Sequence, residues 1–334
     1  MRLMTGRHAP FCYGMAQDNS FYSFDTQAGR NAVVLLAGHL PASTITPFCE
    51  AFSAASSLFA RHDTDIVLLV GSTSPYVPEF LALSFLGVTT VFCMEEFFAH
   101  YGFSNDMPES FVMDRAGRII TALDMTSPAT CVTHTENVLA ALISEKRREV
   151  GLPAPLLLVP HVFDAAFCHD LIDIFERSPQ TQGGMASTGM NGKPVHRIDE
   201  NKKKRTDFLV PPDSDLARHI LERLDTSCVP EIKKAFQFEA QHVDRLVLAR
   251  YDAPSGHFLR HRDNLAPAVM FRKFALSLNL NTSEYDGGFL TFPEYNDHYY
   301  KPQTGAAIIF SASLLHEATP VTRGSRYCLL TFFH

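Results

Sequence analysis

The stretch HFLRHRDN at residues 257–264 packs two histidines, two arginines and an aspartate into eight positions. If it is extended, His261 and Asp263 stand at i and i+2, on one face and roughly 7 Å apart along the strand. Imidazole nitrogens and carboxylate oxygens are ligands for a divalent metal. A redox-active ferrous site commonly takes two histidines and one carboxylate on one face, leaving other positions open. The second imidazole must then come from another strand, and FSASLLHEATPV offers His316 at the end of an apolar run. A carboxylate-bearing ligand beside such a metal needs a fixed cation, and arginine suits it because its planar fork stays charged when buried. VTRGSRYCLLTFF supplies Arg326 entering the last strand, with Arg323 as the competitor in the turn beside Gly324. Arg272, ahead of KFALSLNLN, either reaches a bound molecule or caps its strand. Each feature also has a plain reading: H-x-D as a solvated charged turn, a single histidine as a core or surface residue, an arginine at a strand end as solvated.

The elements that would carry these residues are short strands. From residue 243 onward, VDRLVLARY, KFALSLNLN, GFLTF, GAAIIFSAS and RYCLLTFF are β-rich runs separated by turns, which predicts a barrel or double-sheet sandwich. Helices are predicted over 164–178 and 213–227. Before residue 150 the pattern differs. AVVLLAG, DIVLLVG and GVTTVFC alternate with helical candidates at 47–62 and 78–86, and FVMD with RIITALD closes a hairpin. That order predicts an α/β sandwich. The run 134–150 reads as an amphipathic helix, and GLPAPLLLVP after it as an extended segment, so a domain boundary falls near residue 150.

Composition sets broad limits. The chain has 334 residues, 46% hydrophobic and 19% charged, enough for about two domains with a sizeable core. The net charge of −7 argues against broad nucleic-acid or anionic-membrane binding. No apolar stretch reaches bilayer length, and the N-terminus lacks an apolar signal region. Seven scattered cysteines without a CxxC pair fit reduced thiols in a cytoplasm better than a disulfide framework or a zinc cage.

Taken in order, LARYDAPSGHFLRHRDN, FALSLNLN, YDGGFLTFPEY and GAAIIFSASLLHEATPVTRGSRYCLL resemble the catalytic core of the 2-oxoglutarate/Fe(II) dioxygenases of the prolyl 4-hydroxylase type. RYDAPSGHFLRHRDN is similar to the hypoxia-sensing prolyl hydroxylases, and the resemblance to bacterial 2-oxoglutarate oxygenases is closer still. The resemblance covers about 155–334. It implies a double-stranded β-helix of jelly-roll type over 151–334, with His261, Asp263 and His316 as iron ligands. It further implies Arg326 and Tyr251 in the pocket for 2-oxoglutarate. Asn279 stands where some relatives carry a tyrosine that helps to hold the same carboxylate. The implied cofactor is Fe(II), with 2-oxoglutarate and O2 as cosubstrates. The implied reaction is hydroxylation of an unactivated C–H bond in a small molecule, amino acid or peptide residue, releasing succinate and CO2. The Gly-, Met- and charge-rich segment 183–208 is either a lid or substrate loop or an ordinary solvated loop. Its run Lys202–Arg205 could attract an anionic substrate or simply face water.

GRHAPFC, VVLLAGHLPASTITPFCEAF and PESFVMDRAGRII resemble the peroxiredoxin/thioredoxin-like fold and place such a domain at 1–150. In peroxidases of that family a reactive cysteine follows P-x-x-x-[TS]-x-x-C at a helix start, where the helix N-terminus lowers the thiol pKa. Thr46 and Cys49 have the right relation, but the proline is Pro41, one residue too far, and Pro108, Glu109 and Ser110 stand where an arginine is expected. Cys49 is therefore a candidate redox thiol, with a buried structural cysteine as the alternative. Two rival functions follow: a thiol peroxidase acting through Cys49, and a non-catalytic binding protein with a relict oxygenase barrel. With a structural Cys49, the N-terminal domain would serve packing, homodimerisation or substrate contact.

Overall fold

The computed structural model describes residues 5–24, 28–104, 106–142, 150–188 and 194–334, with the backbone course alone for 185–188 and 194–197. The chain divides into two compact units, Met1–Arg147 and Arg148–His334.

The first unit is built on strands β1 (Tyr13–Ala16), β2 (Phe21–Ser23), β3 (Asn31–Gly38), β4 (Thr64–Gly71), β5 (Val88–Cys93), β6 (Glu109–Met113) and β7 (Ile119–Ala122). Their order across one sheet is β2-β1-β5-β4-β3-β6-β7, with β3, β4 and β5 parallel and the β6–β7 hairpin antiparallel. The central strands are covered on both faces, so they read as continuous apolar runs rather than alternating ones. Val33, Leu35 and Leu68 pack with helices α1 (Ala42–Ala54), α2 (Ser56–Ala60) and α5 (Pro128–Ala141). Val34, Leu36 and Val67 pack with the aromatic face of α4 (Glu95–Tyr101). The α/β sandwich expected from the alternation of elements is present. Three local boundaries differ. The helix read over 47–62 starts earlier, at Ala42, with Pro47 inside it, and breaks into α1 and α2. The helix read over 78–86 is α3 (Val77–Ala82), because the chain turns extended at Leu83 ahead of the left-handed Gly87. The helix read over 134–150 begins at Pro128, and residues 143–149 of that reading lie outside the described residues.

The second unit opens with β8 (Leu156–Val159) and α6 (Ala165–Arg177), whose start is capped by the Asp164 carboxylate accepting from the Phe167 amide. Then come β9 (Thr181–Gln182), β10 (Met185–Thr188), β11 (Pro194–Arg197), β12 (Lys203–Lys204) and β13 (Thr206–Leu209). Helix α7 (Asp215–Ser227) has Ser214 as its cap, and α8 (Val229–Phe236) follows. The remaining strands are β14 (Val247–Asp252), β15 (His257–His261), β16 (Phe274–Asn279), β17 (Asp286–Gly287), β18 (Leu290–Thr291), β19 (Ala307–Ser311), β20 (His316–Ala318), β21 (Val321–Arg323) and β22 (Ser325–Phe333).

They form a seven-stranded antiparallel sheet, β8-β19-β16-β22-β14-β13-β9, and a four-stranded one, β12-β15-β20-β18. Strand periodicity divides the large sheet's side chains between two cores. Leu248, Leu276, Leu278, Ile309 and Leu329 pack beneath α6, α7 and α8. Val247, Ala249, Tyr251, Ala275, Ile308 and Phe310 face the other way, where they meet Leu290 and Ala318 of the small sheet. This is the double-sheet, jelly-roll arrangement expected for the C-terminal half.

Candidate metal centre

The two sheets bring together residues that lie far apart in the chain. On the small sheet, β15 and β20 pair so that His261 and His316 stand directly opposite one another, after a register shift between Phe258 and His261. Asp263 follows the end of β15, where its amide donates to the Ala312 carbonyl at 2.9 Å. One ligand atom from each of His261, Asp263 and His316 lies within 4.8 Å of the other two. The imidazole centroids are 4.2 Å apart, and Phe258 stacks on His261 at 3.4 Å.

Hydrogen bonds settle which ring nitrogens face inward. Nδ1 of His261 lies 2.7 Å from the Leu259 carbonyl and Nδ1 of His316 3.0 Å from the Leu314 carbonyl. A carbonyl only accepts, so each Nδ1 carries a proton, and in the neutral ring each Nε2 presents a lone pair. Those lone pairs point at the carboxylate: His261 Nε2 lies 3.5 Å from Asp263 Oδ1, and His316 Nε2 3.3 Å from Asp263 Oδ2. Burial pushes His316 down to about 4, against the pull of Asp263, so its ring is neutral at pH 7. Burial raises the Asp263 carboxyl, but attraction to the two imidazoles in their protonated form outweighs it, to about 2, so Asp263 is ionised at pH 7, where the His316 ring is neutral. Three acceptors facing one another repel unless a cation sits between them. Two imidazoles and one carboxylate form a donor set that suits ferrous iron.

Beside this cluster the sheets enclose a cavity of about 520 Å³. Arg326 lines it from β22 and is only 2% exposed. Its Nε donates to Asn279 Oδ1 at 3.2 Å, and its Nη2 donates to Ser277 Oγ at 3.0 Å and Asn279 Oδ1 at 3.1 Å. All these partners are neutral. A carboxylate entering the cavity is the natural complement of that buried charge. Tyr251 also lines the cavity, and its ring lies 5.4 Å from the Arg326 guanidinium. Arg323, the competitor, is exposed and paired with Asp286 at 2.6 Å.

Two expected roles change. Asn279 is buried but does not line the cavity. It stands behind Arg326, accepting from the guanidinium while its own amide donates to Tyr285 Oη and the Pro302 carbonyl. An asparagine is too short to reach a ligand from there, so it orients Arg326. Cys49 lies inside α1 rather than at its start, is fully buried, and burial pushes its thiol up to about 12. A thiol kept neutral away from the helix N-terminus lacks what activates a peroxidatic cysteine, and this corrects the redox reading of Cys49. Arg272 lines the cavity, bonded to Asp244 Oδ2 through Nε at 2.9 Å and Nη2 at 2.5 Å, with its guanidinium 3.6 Å from the Phe332 ring centroid.

Two members of the Lys202–Arg205 run line the cavity, and so does Arg245, which was not singled out in the sequence. Lys203 and Arg205 are buried while Lys202 and Lys204 are exposed, so the charge run alternates like a strand instead of facing water. Arg205 is clamped by Asp207 and donates to Tyr251 Oη at 3.1 Å. Arg245 is in phase with the inward-facing Val247, Ala249 and Tyr251, which is the signal that could have marked it. Part of the segment read as a lid, 189–193, lies outside the described residues.

Residues 246–334 match the model of the 2OG-Fe(II) oxygenase superfamily. This is the family to which the C-terminal motifs pointed. A PKHD-type hydroxylase from Azoarcus sp. (strain BH72), azo0608, is 34% identical over 90 residues, which are 25% of this chain and 40% of that protein. The chain thus spans less than half the length of this curated relative. A Pseudomonas putida prolyl-4-hydroxylase is similar in structure with a TM-score of 0.41 at 18% identity, covering 54% of this chain and 92% of that one. A thiol:disulfide interchange protein DsbE from Chlorobium tepidum aligns with a TM-score of 0.35 at 15% identity, covering 41% of this chain and 99% of that one. Among the described residues no helix is long and apolar enough to cross a membrane.

Proposed function

We propose that this protein is a 2-oxoglutarate- and Fe(II)-dependent dioxygenase that hydroxylates an unactivated C–H bond of a small molecule, an amino acid or a peptide residue. The observation that carries this reading is the convergence of two imidazoles and one carboxylate beside a buried guanidinium that, among the described residues, hydrogen-bonds to neutral groups. The superfamily match over 246–334 supports it.

In this reading His261, Asp263 and His316 hold the metal, and Arg326 receives the distal carboxylate of 2-oxoglutarate. Ferrous iron held there would activate O2, which is the oxidant: one oxygen atom would turn the substrate C–H into C–OH, and the other would oxidise 2-oxoglutarate to succinate and CO2. The protein contributes position and shielding. The Nδ1–H bonds to the Leu259 and Leu314 carbonyls fix each imidazole's tautomer and aim, as outer-shell partners of metal-bound histidines do. Asn279 and Ser277 hold Arg326 so that its remaining N–H groups face the cavity. Phe258 and Phe310, packed on the histidine rings, keep water from the reacting centre.

The test is anaerobic reconstitution with Fe(II) and 2-oxoglutarate, followed by oxygen. Succinate forming in step with oxygen uptake is the expected result. Protein that binds iron and yields none, with or without a panel of amino acids and peptides, refutes the assignment.

A further inference from the structure

The cavity holds more positive charge than a metal-bound 2-oxo acid can use. With Arg326 and Asp263 assigned to that cosubstrate and the metal, six cations still line the walls: Arg260 and Arg262, paired with Glu317 and Glu294, and the inner group Lys203, Arg205, Arg245 and Arg272. Two carboxylates answer these four cations: Asp207 clamps Arg205, and Asp244 clamps Arg272. Lys203 donates to the Gly184 carbonyl at 2.6 Å and lies 3.8 Å from Asp207 Oδ2, a carboxylate already engaged by Arg205. Among the described residues Arg245 Nε is buried without a hydrogen-bond partner. The Arg245 guanidinium shares the Phe332 ring with that of Arg272, at 5.9 and 3.6 Å from its centroid. Like charges held side by side in a half-enclosed site are costly unless an anion joins them.

We propose that the substrate carries an anionic oxygen group, a carboxylate or a phosphate, which binds between Arg245 and Lys203 in the same cavity as the metal. The inference rests on the dioxygenase reading and names its substrate class. Arg245 lies in the field of Arg272, Asp244, Arg205 and Asp207, whereas the Arg326 guanidinium hydrogen-bonds to the neutral Asn279 and Ser277. Burial, reinforced by Arg205, pushes the Lys203 ammonium down to about 7, and a bound anion restores its charge. A neutral peptide backbone would bring no charge to Arg245 and leave Lys203 with only a share of Asp207.

The experiment titrates inorganic phosphate, and separately acetate, into the anaerobic full chain saturated with Fe(II) and 2-oxoglutarate, by calorimetry. The visible absorption of the ferrous 2-oxo acid chelate is recorded in the same samples. Phosphate or acetate binding with the chelate intact is expected, and the tighter of the two identifies the group. Arg245→Gln and Lys203→Gln each weaken it at least tenfold, while Arg245→Lys retains part of the affinity. The proposal is overturned if neither anion binds in the millimolar range, if binding displaces 2-oxoglutarate, or if Arg245→Gln binds as tightly as the native chain. Anion binding without any chelate absorption would instead remove the dioxygenase reading and leave the anion site standing.

Discussion

Replacing Arg326 with methionine isolates the role of the buried guanidinium. The side chain is buried, and its hydrogen-bond partners Asn279 and Ser277 carry no charge. Methionine keeps most of the volume and removes the charge. A hydrogen bond to a charged group contributes about 1.5–3 kcal/mol net. At about 1.4 kcal/mol per tenfold, the dissociation constant for 2-oxoglutarate rises roughly ten- to more than a hundredfold. The Asn279 carbonyl also loses its donor, which costs about 1–3 kcal/mol of stability, so the folded variant melts earlier. Asn279→Asp separates the two effects. Its carboxylate would sit against the same Nε and Nη2, pair with Arg326 and compete for its charge. It should weaken 2-oxoglutarate binding while the fold keeps a satisfied Arg326. The assay is anaerobic titration of 2-oxoglutarate into the Fe(II) protein, with thermal unfolding of each variant alongside. If Arg326→Met binds 2-oxoglutarate as tightly as the native chain, the carboxylate lies elsewhere and the reasoning fails.

Asp263→Ala removes the only carboxylate of the candidate metal cluster and should lower Fe(II) affinity by more than the roughly 10- to 100-fold seen for outer-shell changes; metal content after gel filtration measures it, and stoichiometric iron would refute the ligand assignment. Cys49 should resist alkylation at pH 8 in the folded chain and react once the chain is denatured, because burial holds its thiol at about 12. The sign follows from that direction: the Cys49 contribution to stability is fully present below the pKa of an unfolded thiol and is lost as pH rises towards about 12. Fast labelling of native Cys49 would restore it as a redox candidate.

Much of the scaffold was legible because its signals are local. Apolar runs of strand length, the caps Asp164 and Ser214, and the turn glycines act within a few residues, so β3–β5, α6, α7 and the C-terminal strands could be placed without knowing their partners. The two-residue spacing of His261 and Asp263 is likewise a property of one strand. Misplaced boundaries fell where two local signals conflicted, as at Pro47, which reads as a helix start but lies within α1.

What residues 257–334 determined by themselves was which side chains could share one face, since strand alternation is built into the backbone. Only the tertiary structure decided what that face meets. The β15–β20 register sets His261 opposite His316, the pairing of β12 with β15 turns Lys203 inward beside Phe258, and the phase of β14 carries Arg245 into the cavity. Asn279 became a support for Arg326 because Tyr285 and Pro302 hold its amide behind the cavity wall. Hydrogen-bond register and burial are long-range quantities, fixed when distant strands pair, and no short stretch of sequence contains them.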